Sequence, residues 1–169
     1  STDLARAFVD GKCWFKVQHS IKFIYKGKLK KWVGGKDLIL YTIGLIGVDG
    51  ALYSAMEFSG PVISKLDMDG RFSMSNMAIE AGARAGIIEP DVVTLKYVKE
   101  YQKIRLSENQ KKIIDNLKSD KDAEYEKIYE WDVTGLEPQV ACPHLPSNVK
   151  PVSQLSNVVL DQVVIGSCT

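Results

Sequence analysis

The sequence predicts a layered α/β domain, an α/β/α sandwich, and three observations carry that expectation. Between residues 20 and 135, short apolar stretches of strand character alternate with segments of helical periodicity. Turn residues punctuate the joins, among them Val48-Asp49-Gly50, Ser59-Gly60-Pro61 and the pair Gly86 and Pro90. The chain's 169 residues, 45% hydrophobic and 25% charged, can build one core of ordinary size and are globular in composition.

Taken in order, residues 2 to 10 read as an amphipathic helix with Leu4, Phe8 and Val9 inward and Gly11 just past its end. Cys13 to Val17 and Ile21 to Tyr25 read as strands, which makes Cys13, beside Trp14 and Phe15, a small buried hydrophobe. Lys22, Lys26, Lys28, Lys30, Lys31 and Lys36 follow as a solvated face. The glycines among them match neither a P-loop nor a dinucleotide fingerprint. Asp37 to Ile46 is a helix and Ala51 to Phe58 a strand, with Glu57 either exposed or facing a site. Pro61 opens a short helix through Leu66, and Gly86 to Ile88 is a strand.

Asp91 to Asp122 is richer in charge, with a sparse apolar stripe at Val98, Ile104, Leu106, Ile113, Ile114 and Leu117. It reads as surface helices followed by a mobile loop around Ser119 to Glu124. Tyr125 to Val133 is again a strand. Gly135 to Pro151 reads as loop, and Pro138, Pro143, Pro146 and Pro151 make it a candidate domain junction. His144 in that loop reads as structural or exposed. The run from Asn157 to Ile165 is a strong strand that ends in a small polar turn.

Charge narrows the function classes. A net charge of +1 provides no electrostatic footprint for nucleic acid or a membrane surface. No apolar run reaches the roughly 20 residues of a membrane span, and no signal peptide stands at Ser1. Three cysteines without tight spacing, Cys13, Cys142 and Cys168, fit a reducing, cytoplasmic setting. Both ends look cut, as in a piece of a larger protein.

The stretch Asp69 to Asp91 stands apart. It sets Asn76 and Glu80 four residues apart in a small, apolar run, so on a helix the two share a face. A polar pair on a rigid small-residue helix suits a site that must be held still. It equally suits a buried helix whose Asn and Glu satisfy nearby backbone groups. Cys168, in a glycine-serine turn after a strand, could be a nucleophile, a metal ligand or neither.

Together these stretches are specific. The runs TDLARAFVDGKCWFKV, WVGGKDLIL, AMEFSG, MDGRFSMSNMAIEAG, GIIEPD, LEPQVACPH and IGSCT occur in this order over nearly the whole chain. The chain thereby resembles the aconitase family of iron–sulfur hydro-lyases. The resemblance implies that residues 1–19 are the tail of a preceding domain, 20–135 a middle α/β domain, and 136–169 a junction and the first strand of a following domain. It implies that Cys168 is one of three cysteine ligands of a 4Fe-4S cluster, the other two belonging to a CxxC pair that this sequence lacks. One thiolate cannot hold a cluster, so the isolated chain is expected to bind none and to be inactive.

The resemblance further implies that Asn76 and Glu80 stand at the active site, Asn76 positioning groups and Glu80 joining the network near the substrate hydroxyl. Ser75, where relatives often have cysteine, is given no role. The implied reaction is dehydration followed by rehydration. A small partner subunit supplies the catalytic base and an arginine clamp for carboxylate, and further histidine motifs normally lie before this chain's first residue. The spelling leans toward interconversion of 2-isopropylmalate and 3-isopropylmalate in leucine biosynthesis. Homoaconitate and dimethylmalate are the alternative substrates, and a non-catalytic scaffold or RNA-binding domain is the alternative of another class.

Overall fold

The computed structural model describes residues 2–101 and 106–166; Cys168 and Ile104 lie outside them. After a first helix, α1 (Thr2–Asp10), the chain forms β1 (Ser20–Lys26), α2 (Gly35–Ile46), β2 (Ala55–Ser59), α3 (Met68–Asn76) and β3 (Ala85–Ile88). The connection from β3 to β4 (Lys127–Asp132) holds α4 (Val92–Tyr101) and α5 (Glu108–Asp115). The four strands make a wholly parallel sheet in the order β3-β2-β1-β4. Parallel neighbours need crossover connections, and the helices supply them. The expected α/β class is what forms.

Alternation along β1 decides which face is the core. Ile21, Phe23 and Tyr25 are buried while Lys22 and Ile24 are only partly so. The buried set, with Met56 and Phe58 of β2, packs on Leu38, Ile39 and Ile43 of α2 and on Met74 of α3. Tyr25 is fully buried yet satisfied. Its hydroxyl lies 2.6 Å from that of Thr42, which donates in turn to the Leu38 carbonyl at 2.8 Å. Helices α2 and α3 approach so closely that a Cβ on Gly35 would fall 2.1 Å from the Gly70 carbonyl oxygen. Only glycine fits there.

The opposite face carries charge. Register places Lys22 beside Glu57, and their side chains pair at 2.9 Å. The crossover to β4 brings Ser119 and Tyr125 over them, both hydroxyls donating to Glu57 at 2.6 and 2.8 Å. Burial pushes Glu57 up, but the bonds from Ser119, Lys22 and Tyr125 outweigh it and hold the carboxyl below its ordinary range. Ser119, expected in a mobile loop, is thereby tied to the sheet.

Arg71 fastens α3 to the start of α4. It is 3% exposed and donates to the carbonyls of Ile63, Ser64 and Leu66 and to both carboxylate oxygens of Asp91, at 2.8 and 2.7 Å. Asp91 also accepts from the backbone of Val93 and Thr94, capping α4.

Several expected elements differ. In α1, Leu4, Phe8 and Val9 are exposed, because no described element covers that face. Cys13 to Val17 is no strand and Cys13 is exposed; β1 already pairs on both sides, with β2 and β4, so no sheet edge is free beside it. The second strand starts at Ala55 because Ala51 and Tyr53 donate their N–H groups to Ala81 and Gly82 instead of a strand. The helix expected through Leu66 is a single 3₁₀ turn, Ile63–Lys65. The loop expected from Gly135 to Pro151 contains an antiparallel pair, β5 (Gln139–Ala141) and β6 (Val149–Pro151), against α2. Residues 157–166 form no strand; Val159 and Ile165 stand exposed with no partner strand beside them. Among the described residues no helix is long and apolar enough to cross a membrane.

The hydrogen bonds from Arg71 hold the Asp91 carboxyl below its ordinary 3.8, against the opposing effect of burial. A lowered folded value means that stability is fully present above about pH 4 and is lost as pH falls through the lowered value. Asp91→Asn should therefore flatten the acid limb of a stability-against-pH curve. Arg71→Met should cost about 3 kcal/mol in urea unfolding, because it strands Asp91 and three carbonyls. A loss below about 0.5 kcal/mol would contradict the role given to Arg71.

Candidate functional site

The polar pair sits where α3 runs out. Asp67 caps the helix by accepting from the Gly70 N–H at 2.9 Å, and the helix ends at Asn76. Met77–Ala81 then tightens into 3₁₀ geometry, with Ala78 and Ala81 buried three residues apart. This corrects the single helix expected through Glu80. A 3₁₀ turn advances about 120° per residue instead of about 100°, so four steps swing Glu80 roughly 80° away from its α-helical direction. Asn76 is exposed and Glu80 half-buried. The two are neighbours in the chain but do not share one helix face.

Backbone bonds hold the turn in place. Ala51 donates to the Ala81 carbonyl at 2.9 Å, Tyr53 to Gly82 at 3.0 Å, and Arg84 to Ser54 at 2.8 Å. Gly82 takes φ +81°, the left-handed value that lets the chain leave the turn and enter β3. Because α3 runs antiparallel to the strands, the turn lies at their amino ends. In open α/β sheets ligands usually bind beyond the carboxyl ends. This chain puts its polar pair on the other side.

Glu80 carries the anomaly. Its Oε2 is buried and has no hydrogen-bond partner among the described residues. A buried acceptor left unpaired costs on the order of 1–3 kcal/mol, and such an atom in a well-packed turn calls for a donor from outside. Asn76 likewise leaves its side-chain amide without a described partner.

The metal side of the expectation has less to stand on. Among the described residues no group of three or more His, Cys, Asp or Glu side chains could hold a metal ion. Cys13 is exposed and Cys142 half-buried, and neither belongs to a ligand cluster. The described donor set does not fit an iron–sulfur cluster.

Two residues beside the turn escaped the sequence reading. Arg84 lays its guanidinium over the Tyr53 ring, 4.6 Å from the centroid, and Tyr53 is held at φ +57°, a value bulky side chains avoid. The available signal was a lone cation four residues after Glu80 in the small-residue run GARAG.

The structure is thus a parallel α/β domain in which, among the described residues, one buried carboxylate oxygen, Glu80 Oε2, has no hydrogen-bond partner. Comparison with known proteins gives it a family. The aconitase family (aconitate hydratase) model matches residues 1–162, and the chain belongs to that family. It is 63% identical over its whole length to the 3-isopropylmalate dehydratase large subunit of Thermodesulfovibrio yellowstonii, covering 38% of that protein. The corresponding large subunits of Aquifex aeolicus and Pyrococcus furiosus are 56% and 57% identical, again over the whole chain and over 37% and 38% of their own length. The chain thus spans little more than a third of the curated relatives it matches.

If the Glu80 oxygen is held unpaired for a ligand, removing it should relieve the fold. Glu80→Met should leave the chain as stable or about 1 kcal/mol more stable in denaturant unfolding. A loss of more than about 1 kcal/mol would mean that Glu80 serves the fold instead.

Proposed function

We propose that the chain is part of the large subunit of a 3-isopropylmalate dehydratase, a hydro-lyase that interconverts 2-isopropylmalate and 3-isopropylmalate by losing and re-adding water. The observation that carries this reading is the buried Glu80 oxygen, without a partner among the described residues, in a chain 63% identical over its full length to a protein of that name. On this reading residues 20–135 form the middle domain of the subunit, and the flanking residues belong to its neighbours. The assembled enzyme works in the cytoplasm with a small subunit that supplies the base and a carboxylate clamp.

The chain's own residues define its share of the chemistry. Glu80 Oε2 accepts a proton from the water that returns, and in the opposite direction the same carboxyl gives that proton to the departing hydroxyl, which leaves as water. The Asn76 amide, exposed at the end of α3, orients a neighbouring oxygen through its N–H. The backbone bonds at Ala51 and Tyr53 keep the turn fixed, so little reorganisation is needed when substrate binds. A 4Fe-4S cluster supplies Lewis-acid chemistry in the whole enzyme. Cys168 contributes one thiolate to it on this reading, but the described residues do not make up a cluster site and no step is drawn through it.

The test uses the full-length large subunit assembled with its small subunit. Glu80→Gln keeps the size of the side chain and removes its charge, and it should lower kcat for 2-isopropylmalate by about 10²-fold or more. Undiminished turnover in that variant would overturn the role of Glu80. Wild-type enzyme that prefers homoaconitate or dimethylmalate would move the assignment to another branch of the family.

A further inference from the structure

The substrate class proposed above carries two carboxylates, yet Asn76 and Glu80 bring no positive charge to meet them. The same turn does supply one. We infer that Arg84 binds a carboxylate of the substrate, as a specificity determinant belonging to the large subunit itself; this rests on the function proposed above.

Three features set Arg84 up for that task. Its position is fixed relative to Glu80, since Gly82 closes the turn at φ +81° and the Arg84 N–H is bonded to Ser54 at 2.8 Å. Its guanidinium sits over the Tyr53 ring, 4.6 Å from the centroid, and among the described residues it makes no side-chain hydrogen bond that would occupy its N–H donors. The planar fork of those donors matches a carboxylate with two parallel hydrogen bonds. No carboxylate pairs with it among the described residues, whereas Arg71, the arginine inside the fold, is fully engaged with Asp91.

The surroundings favour an anion. Arg84 and Tyr53 line a broad cavity of about 1540 Å³ at the amino end of the sheet; its lining includes Ser54 and Asp49 but not Glu80 or Asn76. Its lining includes five Lys or Arg side chains and three Asp or Glu, and one of each, Arg6 and Asp10, is paired internally. The strained backbone of Tyr53 costs free energy that its own exposed side chain does not recover by packing.

The experiment again takes the full-length large subunit with its small subunit. Arg84→Ala should raise KM for 2-isopropylmalate by roughly tenfold or more while kcat stays within about threefold, and Arg84→Lys should recover part of the loss. As a competitive inhibitor, the monoamide of the substrate at that carboxylate should lose no affinity in Arg84→Ala, because the charge it would have paired is gone. An unchanged KM, or an equal loss of affinity for the substrate and its amide, overturns the inference for an enzyme that turns over isopropylmalate. A wild-type enzyme inert toward every hydroxy-dicarboxylate tried would overturn the functional reading and this inference with it.

Discussion

Two backbone hydrogen bonds, Ala51 to Ala81 and Tyr53 to Gly82, decide what this domain can present. They dock the end of the α3 segment onto the chain entering β2 and hold it in 3₁₀ geometry. Released from them, the segment could continue as an α-helix and carry Glu80 back toward the Asn76 face. Docked, it buries one carboxylate oxygen that has no partner among the described residues and leaves Asn76 exposed. The rest of the fold supports that docking. The glycine contact between α2 and α3 sets the height of the helix on the sheet, and Arg71 anchors its first turns to α4.

The domain therefore divides its polar groups into two kinds. Arg71, Asp91, Lys22, Glu57 and Tyr25 are buried or half-buried and fully bonded, and they act on stability. Burial works against the Lys22 charge, but its bonds to Glu57 and Tyr125 more than offset it and keep the ammonium above its ordinary range. Glu80 and Arg84 are different: among the described residues Glu80 Oε2 has no hydrogen-bond partner, and Arg84, exposed over the Tyr53 ring, pairs with no carboxylate. Fully satisfied networks rigidify a fold, while a single orphaned group inside one costs stability.

Much of this was legible in the sequence. The apolar run Ile21 to Tyr25 marked β1, the apolar stripe of Asp37 to Ile46 marked α2, and the succession of strands and helices predicted the layered α/β class. The motif MSNMAIEAG, with the other matching runs, marked the family. The sequence could not reveal that α3 tightens after Asn76, because that change follows from tertiary bonds to residues near 51 and 53. Local pattern also misread Cys13 to Val17 and residues 157–166. Both have strand composition, but a strand needs a neighbour, and the described residues offer them none. Their exposed side chains include Trp14, Phe15, Val159 and Ile165. Arg84 and Tyr53 were missed because their relation is spatial: thirty-one positions separate them in the chain, and only the docked turn brings guanidinium and ring together.

The central claim is that the unpaired oxygen of Glu80 is reserved for the substrate. It is tested most directly by a crystal structure of the assembled enzyme, large and small subunits together, with 2-isopropylmalate bound. The account predicts a ligand oxygen, or a water bonded to the ligand, within about 3 Å of Glu80 Oε2. A Glu80 whose two oxygens are both satisfied by protein donors, with the ligand bound elsewhere, would contradict it.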